Sequence, residues 1–162
     1  MRSKFYKNER AFFNKSAADR LIEAKNDLKE LGYGIIIYDE YRPWFVTKMF
    51  WEGTPENLKH FVANPENGSS HNKGCAIDIG LYDIETGESI VMISGYDEFT
   101  ERAYPNYMGG SKKQRDIRDM LIQVMERNDF TVYEYEWWHF NYNGCDSGIM
   151  NYSFEELDSI SS

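Results

Sequence analysis

The sequence predicts an α+β fold, and three observations predict it. Residues 16–31 and 111–128 carry apolar residues at helical spacing. Short runs rich in β-branched and aromatic residues, such as YGIIIYDE and CAIDIGLYD, read as strands. These elements mix without the regular strand–helix alternation of a parallel sheet. A chain of 162 residues is long enough to bury a sizeable core. We expect a single domain over residues 1–154, built on a small, mostly antiparallel sheet with helices packed on one side. The polar tail, residues 155–162, is expected to fray.

Residues 1–13 read as extended, with Phe5, Tyr6, Phe12 and Phe13 as apolar anchors. The first helix is predicted over about 16–31, capped by Ser16 and ended by Gly32. Its inward stripe is Ala18, Leu21, Ile22, Ala24, Lys25 and Leu28. YGIIIYDE follows as a strand covered on both faces. Pro43 disfavours helical geometry at Arg42 but suits a first helical turn, so a second helix runs from Pro43 to about Trp51. Residues 53–70 read as a loop. CAIDIGLYD is a strand, and IETGESIVMIS the turn and return strand of a hairpin. Residues 95–110 are irregular. Ser111 and Gln114 have capping-box spacing at the head of the third helix. Ile117, Met120, Leu121, Val124 and Met125 form that helix's buried stripe. FTVYEYE and WWHFNY read as strands around a kink.

Net charge is −9. Phosphate binding needs clustered Lys and Arg, so neither nucleic acid nor an anionic membrane surface is an expected partner. No apolar run approaches the roughly 18 residues of a membrane span. The start, MRSKFYKNER, lacks the apolar stretch of a signal peptide, so a cytoplasmic location is expected. Cys75 and Cys145 have no zinc-knuckle spacing. One disulfide fits the count, and two reduced thiols are the simpler expectation. The sequence does not set the oligomeric state.

The stretch GSSHNKGCAIDIG, residues 68–80, puts an aspartate inside an apolar strand. Side chains alternate faces, so Ala76, Asp78 and Gly80 share one side, and Cys75, Ile77, Ile79 and Leu81 the other. The second side is core, which makes Cys75 a packed thiol rather than a ligand. The first side leaves space above Asp78 between two small residues. A buried, unpaired carboxylate is costly, so Asp78 needs a partner, a cation or an arginine. His71 lies in the preceding loop, placed to fold back over that space.

In EYEWWHFNY, Trp138, Phe140 and Tyr142 share one side, and His139 and Asn141 the other. Glu136 would face away from His139 on an ideal strand, so a bulge must lie between them if both serve one site. The chain thus offers His71, Asp78 and His139 as three N/O ligands and Glu136 as a base. Three protein ligands plus an open position is the catalytic zinc pattern, not the closed structural one. Each residue alone also fits a hydrogen-bonded structural role. His60 has no comparable setting and reads as surface.

Together these residues resemble a known family. SSHNKGCAID fits S-x-H-x-x-G-x-A-x-D, and EWWH fits E-x-W-H. Both are signatures of the zinc peptidases of the D-alanyl-D-alanine dipeptidase and carboxypeptidase group. DEYRPW resembles the D-x-Y-R-P segment of the dipeptidase branch. The motifs keep family order from about Tyr6 to His139.

The resemblance implies one Zn2+ per chain, in a cleft on the sheet, held by His71, Asp78 and His139. It implies Glu136 as catalytic acid/base and Arg42 as the group that stabilises the transition state. By the same resemblance Ser69 and Asp97 hold the free amino group of a dipeptide, and Tyr6 contacts substrate. The implied substrate is D-Ala-D-Ala. A carboxylate such as Asp97 suits an ammonium and would be left unpaired by an acylated amine, which favours dipeptidase activity. Structural alternatives are an ion pair for Arg42, a loop hydrogen bond for Ser69 and a solvated turn for Asp97.

Two other functions stay open. One is a D,D-carboxypeptidase or other cell-wall peptide hydrolase of the same group. The other is a zinc-binding recognition module with little catalysis. Another divalent metal also fits an N/O site. Family members carry an extra segment before the point where this sequence starts, and a longer stretch between the residues matching Arg42 and His71. A differently walled cleft is therefore expected. Resistance, recycling and mobile-element use all fit as roles.

Overall fold

Asn14, rather than Ser16, opens the first helix. Its side chain accepts from the Ser16 and Ala17 N–H groups, and α1 runs Lys15–Glu30. The structure is a computed structural model that describes residues 12–160. The buried residues are Ala17, Ala24 and Leu28, the face that packs on the core, while Ile22 faces solvent. Gly32, at φ +87°, takes the left-handed conformation that turns the chain into β1, Tyr33–Asp39.

The sheet has four antiparallel strands in the order β1-β2-β4-β3, where β2 is Ala76–Asp83, β3 Phe130–Tyr133 and β4 Glu136–Tyr142. This agrees with the expected α+β class. β1 lies at an edge and is only half-buried, with Ile37 exposed, so the expectation of a strand covered on both faces does not hold. β2 is the covered one: Ala76 to Leu81 are all buried.

α1 and α3, Lys112–Arg127, join the sheet in one core. Ala24 and Leu28 of α1 and Leu121, Val124 and Met125 of α3 cluster with Ile77, Ile79 and Leu81 of β2 and with Trp138 and Phe140 of β4. The predicted capping box of α3 is present in both directions between Ser111 and Gln114. Each fully buried Leu, Ile or Met is worth about 1.5–3 kcal/mol, so this layer holds the sheet rigid behind its polar face.

Four local expectations are corrected. IETGESIVMIS makes only one bridge, Tyr82 to Ser89, because Asp83 ties the turn to itself by accepting from the Glu85 and Thr86 N–H groups. The two strands expected around a kink are an antiparallel hairpin with its turn at Glu134–Tyr135, so Glu136 belongs to β4 rather than to the first strand. The loop over 53–70 contains a 3-10 helix, Glu56–Phe61. The tail forms α4, Phe154–Ile160, anchored because Phe154 is buried and stacks on Phe12 at 5.5 Å.

The cysteine expectation is also overturned. Cys75 and Cys145 form a disulfide with their Cα atoms 5.8 Å apart. Cys75, just before β2, is fully buried, and the chain returning after β4 brings Cys145 against it.

Candidate metal centre

Three neighbouring strands present their polar residues in one row. Asp39 on β1 pairs with Asp78 on β2, and Asp78 pairs with His139 on β4. The row exists because β1 bulges. Ile37 opposes Ile79 and Asp39 opposes Asp78, which leaves Tyr38 as an extra residue. Without the bulge, Asp39 would fall out of register with Asp78.

His71 arrives from the 3-10 turn Ser70–Lys73, just before β2. Ser69 caps that turn by accepting from the His71 N–H, and Asn72 closes the capping box. Gly74 ends it at φ +63°. Asn72 is fully buried and locks the turn in place. Its carbonyl accepts from Ser69 N–H, and its amide donates to the Arg42 carbonyl at 2.7 Å and to Thr47 Oγ1 at 2.9 Å.

The expected bulge between Glu136 and His139 is present. Val132 of β3 opposes Phe140, while the next residue, Tyr133, opposes Glu136, so β4 carries three extra residues there. The result places Glu136 Oε2 3.9 Å from His139 Nδ1 on the polar side.

Three ligand-type atoms converge. Asp78 Oδ1 lies 3.0 Å from His139 Nδ1 and 3.3 Å from His71 Nε2, and the two ring nitrogens are 3.1 Å apart. The outer ring nitrogens set the tautomers. His71 Nδ1 faces the Glu40 carbonyl, which can only accept, so it carries the proton. His139 Nε2 faces Asn141 Oδ1 at 3.1 Å and carries the proton likewise. Both inner nitrogens then present lone pairs to a carboxylate oxygen that is buried and has no hydrogen-bond partner. This is costly unless a cation sits among them. Tetrahedral zinc with 2.0–2.1 Å bonds separates its ligands by about 3.3 Å, close to the spacings found here. The donor set therefore fits zinc.

The electrostatics follow from burial and charge. Burial alone would raise the Asp78 carboxyl, but when His71 and His139 are protonated rather than turned as neutral ligands toward a cation, their charge and hydrogen bonds more than offset it and hold the carboxyl below the usual carboxylate range. Burial opposes charge on His71, and Asp78 reverses that, so His71 is raised. Burial pushes Glu136 up to about 8, with His139 opposing and the charges of Asp78 and Asp97 adding to the rise.

Arg42 is half-buried beside this cluster. Its Nε donates to Asp39 Oδ2 at 2.9 Å and its Nη2 donates to the same oxygen. The guanidinium also lies over the Phe50 ring, 4.9 Å from its centroid. Asp97 is solvent-exposed and left-handed, at φ 58°, yet its charge reaches Glu136 and Tyr96. Tyr6 lies outside the described residues. Gly80 corrects one expectation: its missing side chain makes room for Tyr38, not for metal or substrate, since a Cβ there would lie 2.3 Å from Tyr38 Oη.

Sequence reasoning missed Asp39, Asn72 and Tyr96. Asp39 was visible inside DEYRPW, three residues before Arg42. Asn72 and Tyr96 had no local signal. An aromatic wall also leads outward from His139, through Tyr133 at 5.4 Å, then Tyr135 and Tyr104. His60 is exposed, with its ring against Phe61.

A model of the family Peptidase_M15, D-ala-D-ala dipeptidase, matches residues 1–158. The chain belongs to this family. Similar relatives are D-alanyl-D-alanine dipeptidases of three bacteria. That of Enterococcus faecalis is 32% identical over 154 residues, covering 83% of this chain and 75% of that one. That of Enterococcus faecium is 34% identical over 142 residues, covering 76% and 69%. That of Escherichia coli K12 is 31% identical over 135 residues, covering 83% and 68%. As an M15 peptidase the chain is an enzyme of a zinc-dependent family.

Solved structures agree on the fold. The LdcB LD-carboxypeptidase superposes with TM-score 0.54 at 20% identity, over 88% of this chain and 65% of that one. VanYB in complex with D-Alanine-D-Alanine gives TM-score 0.50 at 12% identity, over 83% and 73%. No helix among the described residues is long and apolar enough to cross a membrane.

Proposed function

We propose that this M15 peptidase hydrolyses the dipeptide D-Ala-D-Ala to free D-Ala, with one zinc ion held by His71, Asp78 and His139. The observation that carries the reading is the meeting of two histidine lone pairs with the unpartnered Asp78 Oδ1, with the Glu136 carboxylate alongside. Relatives named D-alanyl-D-alanine dipeptidases, similar over most of the chain, support the substrate.

A zinc ion held by His71, Asp78 and His139 would supply Lewis-acid polarisation of the scissile carbonyl and a lowered pKa for the attacking water. The chain's own residues do the rest. With a cation among the three ligands opposing the effect of its burial, Glu136 would be ionised, and it takes the water proton and passes it to the leaving amine. Arg42, its planar fork held by Asp39, faces the oxygen that gains negative charge. The Ser69 hydroxyl and the Asp97 carboxylate hold the substrate ammonium. The charge of Asp97 acting on Glu136 supports that placement at the rim of the site. An acylated amine could not pair with Asp97, so the free dipeptide is preferred over a longer peptide.

We place the reaction in the cytoplasm, on a peptidoglycan precursor. There the Cys75–Cys145 bridge is subject to reduction.

The test is release of D-Ala from D-Ala-D-Ala by the purified chain, with zinc and with a chelator. Zinc-dependent release is expected, together with slower cleavage of N-acyl-D-Ala-D-Ala. Faster cleavage of the acylated peptide would overturn the dipeptidase reading in favour of a carboxypeptidase.

A further inference from the structure

Asp78 has two carboxylate oxygens in different settings. Oδ1 faces the two histidine nitrogens, while Oδ2 accepts from the Tyr96 hydroxyl at 3.1 Å. We propose that Tyr96 is a positioning residue that engages Asp78 Oδ2 and so commits Oδ1 alone to the metal. This rests on the metal-site reading above and extends it to a residue outside the ligand set.

Three features hold the Tyr96 ring where its hydroxyl meets Oδ2. Tyr38 stacks on it, with centroids 4.4 Å apart and planes 20° from parallel. Trp138, next to the ligand His139, packs against it edge-on at 5.6 Å. Asp97, in left-handed conformation, turns the chain directly after it. The stack depends in turn on two features of the sheet. Tyr38 is the extra residue of the β1 bulge, and its ring occupies the space that Gly80 leaves on the same side of β2 as Asp78.

The physical consequence concerns the carboxylate. A carboxylate with both oxygens open can chelate a cation or rotate between oxygens. A phenol O–H on Oδ2 fixes the carboxylate plane and leaves one oxygen for coordination. Outer hydrogen bonds of this kind orient metal ligands, and their loss typically costs 10–100-fold in metal affinity. Phenol is an O–H donor at neutral pH, so the contact needs no change of charge.

Tyr96→Phe tests this, because it removes the hydroxyl and keeps the ring in its stack. Zinc affinity would be measured by competition with a chromophoric chelator, and the melting temperature of the metal-free protein recorded beside it. Zinc binding about 10–100-fold weaker, with metal-free melting unchanged, is the expected result. Affinity within twofold of wild type would overturn the proposal, whatever the melting temperature does. If the wild-type chain bound no zinc, the metal-site reading itself would fall first.

Gly80→Ala provides a second variant that leaves the hydroxyl in place. Its Cβ displaces Tyr38 and thereby loosens Tyr96. It should weaken zinc in the wild-type background and add nothing in the Tyr96→Phe background. Full additivity of the two would also overturn the proposal.

Discussion

Asp39 stands opposite Asp78 on the neighbouring strand, and its Oδ2 receives both Nε and Nη2 of Arg42. The arginine fork is therefore aimed by a carboxylate in the same row as the candidate metal ligands. Asp39→Asn removes the charge that holds it. We expect kcat/KM to fall roughly 100-fold, the scale of a misplaced catalytic group. Zinc content should stay at one per chain, because Asp39 lies outside the ligand set. Steady-state kinetics with metal analysis checks both, and unchanged kcat/KM would remove Asp39 from the mechanism.

Glu136 lies 3.9 Å from His139 but outside the triad of converging atoms. Glu136→Gln keeps the shape and removes the base. Turnover should fall by about 10²–10⁴, the usual contribution of a general base. Zinc binding should persist, as titration calorimetry can show. Loss of zinc together with activity would make Glu136 a ligand instead.

The disulfide joins Cys75, next to β2, to Cys145, just past β4, across 70 residues. Beyond Cys145 the chain runs under the site. Met150 N–H donates to the Asn72 carbonyl, and Asn151 Oδ1 accepts from Phe45 N–H in α2, Trp44–Gly53. Closing a loop of this length is worth roughly 4 kcal/mol in the chain-entropy account. Cys145→Ser, or reduction, should lower the denaturation midpoint accordingly. Equal midpoints for oxidised and reduced protein would show that the bridge adds no stability.

Tyr41 is buried, and its hydroxyl donates to the Tyr152 carbonyl at 2.9 Å. Burial pushes it up to about 12. The folded phenol holds its proton more tightly than the unfolded one, whose value is about 10. Its contribution is therefore complete below pH 10 and is lost as pH rises to 12, by up to about 3 kcal/mol. Tyr41→Phe should cost about 1 kcal/mol at neutral pH, from the lost hydrogen bond. It should become the more stable protein between pH 10 and 12. Denaturation across that range would reveal the crossover, and a constant difference between the two proteins would refute it.

Much of this was legible in local sequence. The Ser111–Gln114 box and the stripe from Ile117 to Met125 are local signals, and both hold in α3, with Met120 half-buried at the stripe's margin. The alternation around Asp78 separated the core side from the polar side. Bringing Glu136 and His139 to one side of the strand called for a bulge between them, and one is there. What failed was long-range. Phe154 anchors α4 because Phe12 and Tyr41, distant in sequence, come to meet it. Cys75 meets Cys145 only because the chain returns after β4.

Local sequence is enough for the α+β class, the two long helices, the side of β2 that carries Asp78 and, through its motifs, the family. These depend on period, capping and residue type, which act over a few positions. Three relationships emerge from long-range packing alone: Asp39, Asp78 and His139 form one row, Tyr38 fills the space over Gly80, and Tyr96 closes on Asp78. Those relationships depend on strand register and on which distant segments pack together. Register is set by bulges and by the burial of whole faces, a balance summed over the entire core that no short stretch encodes.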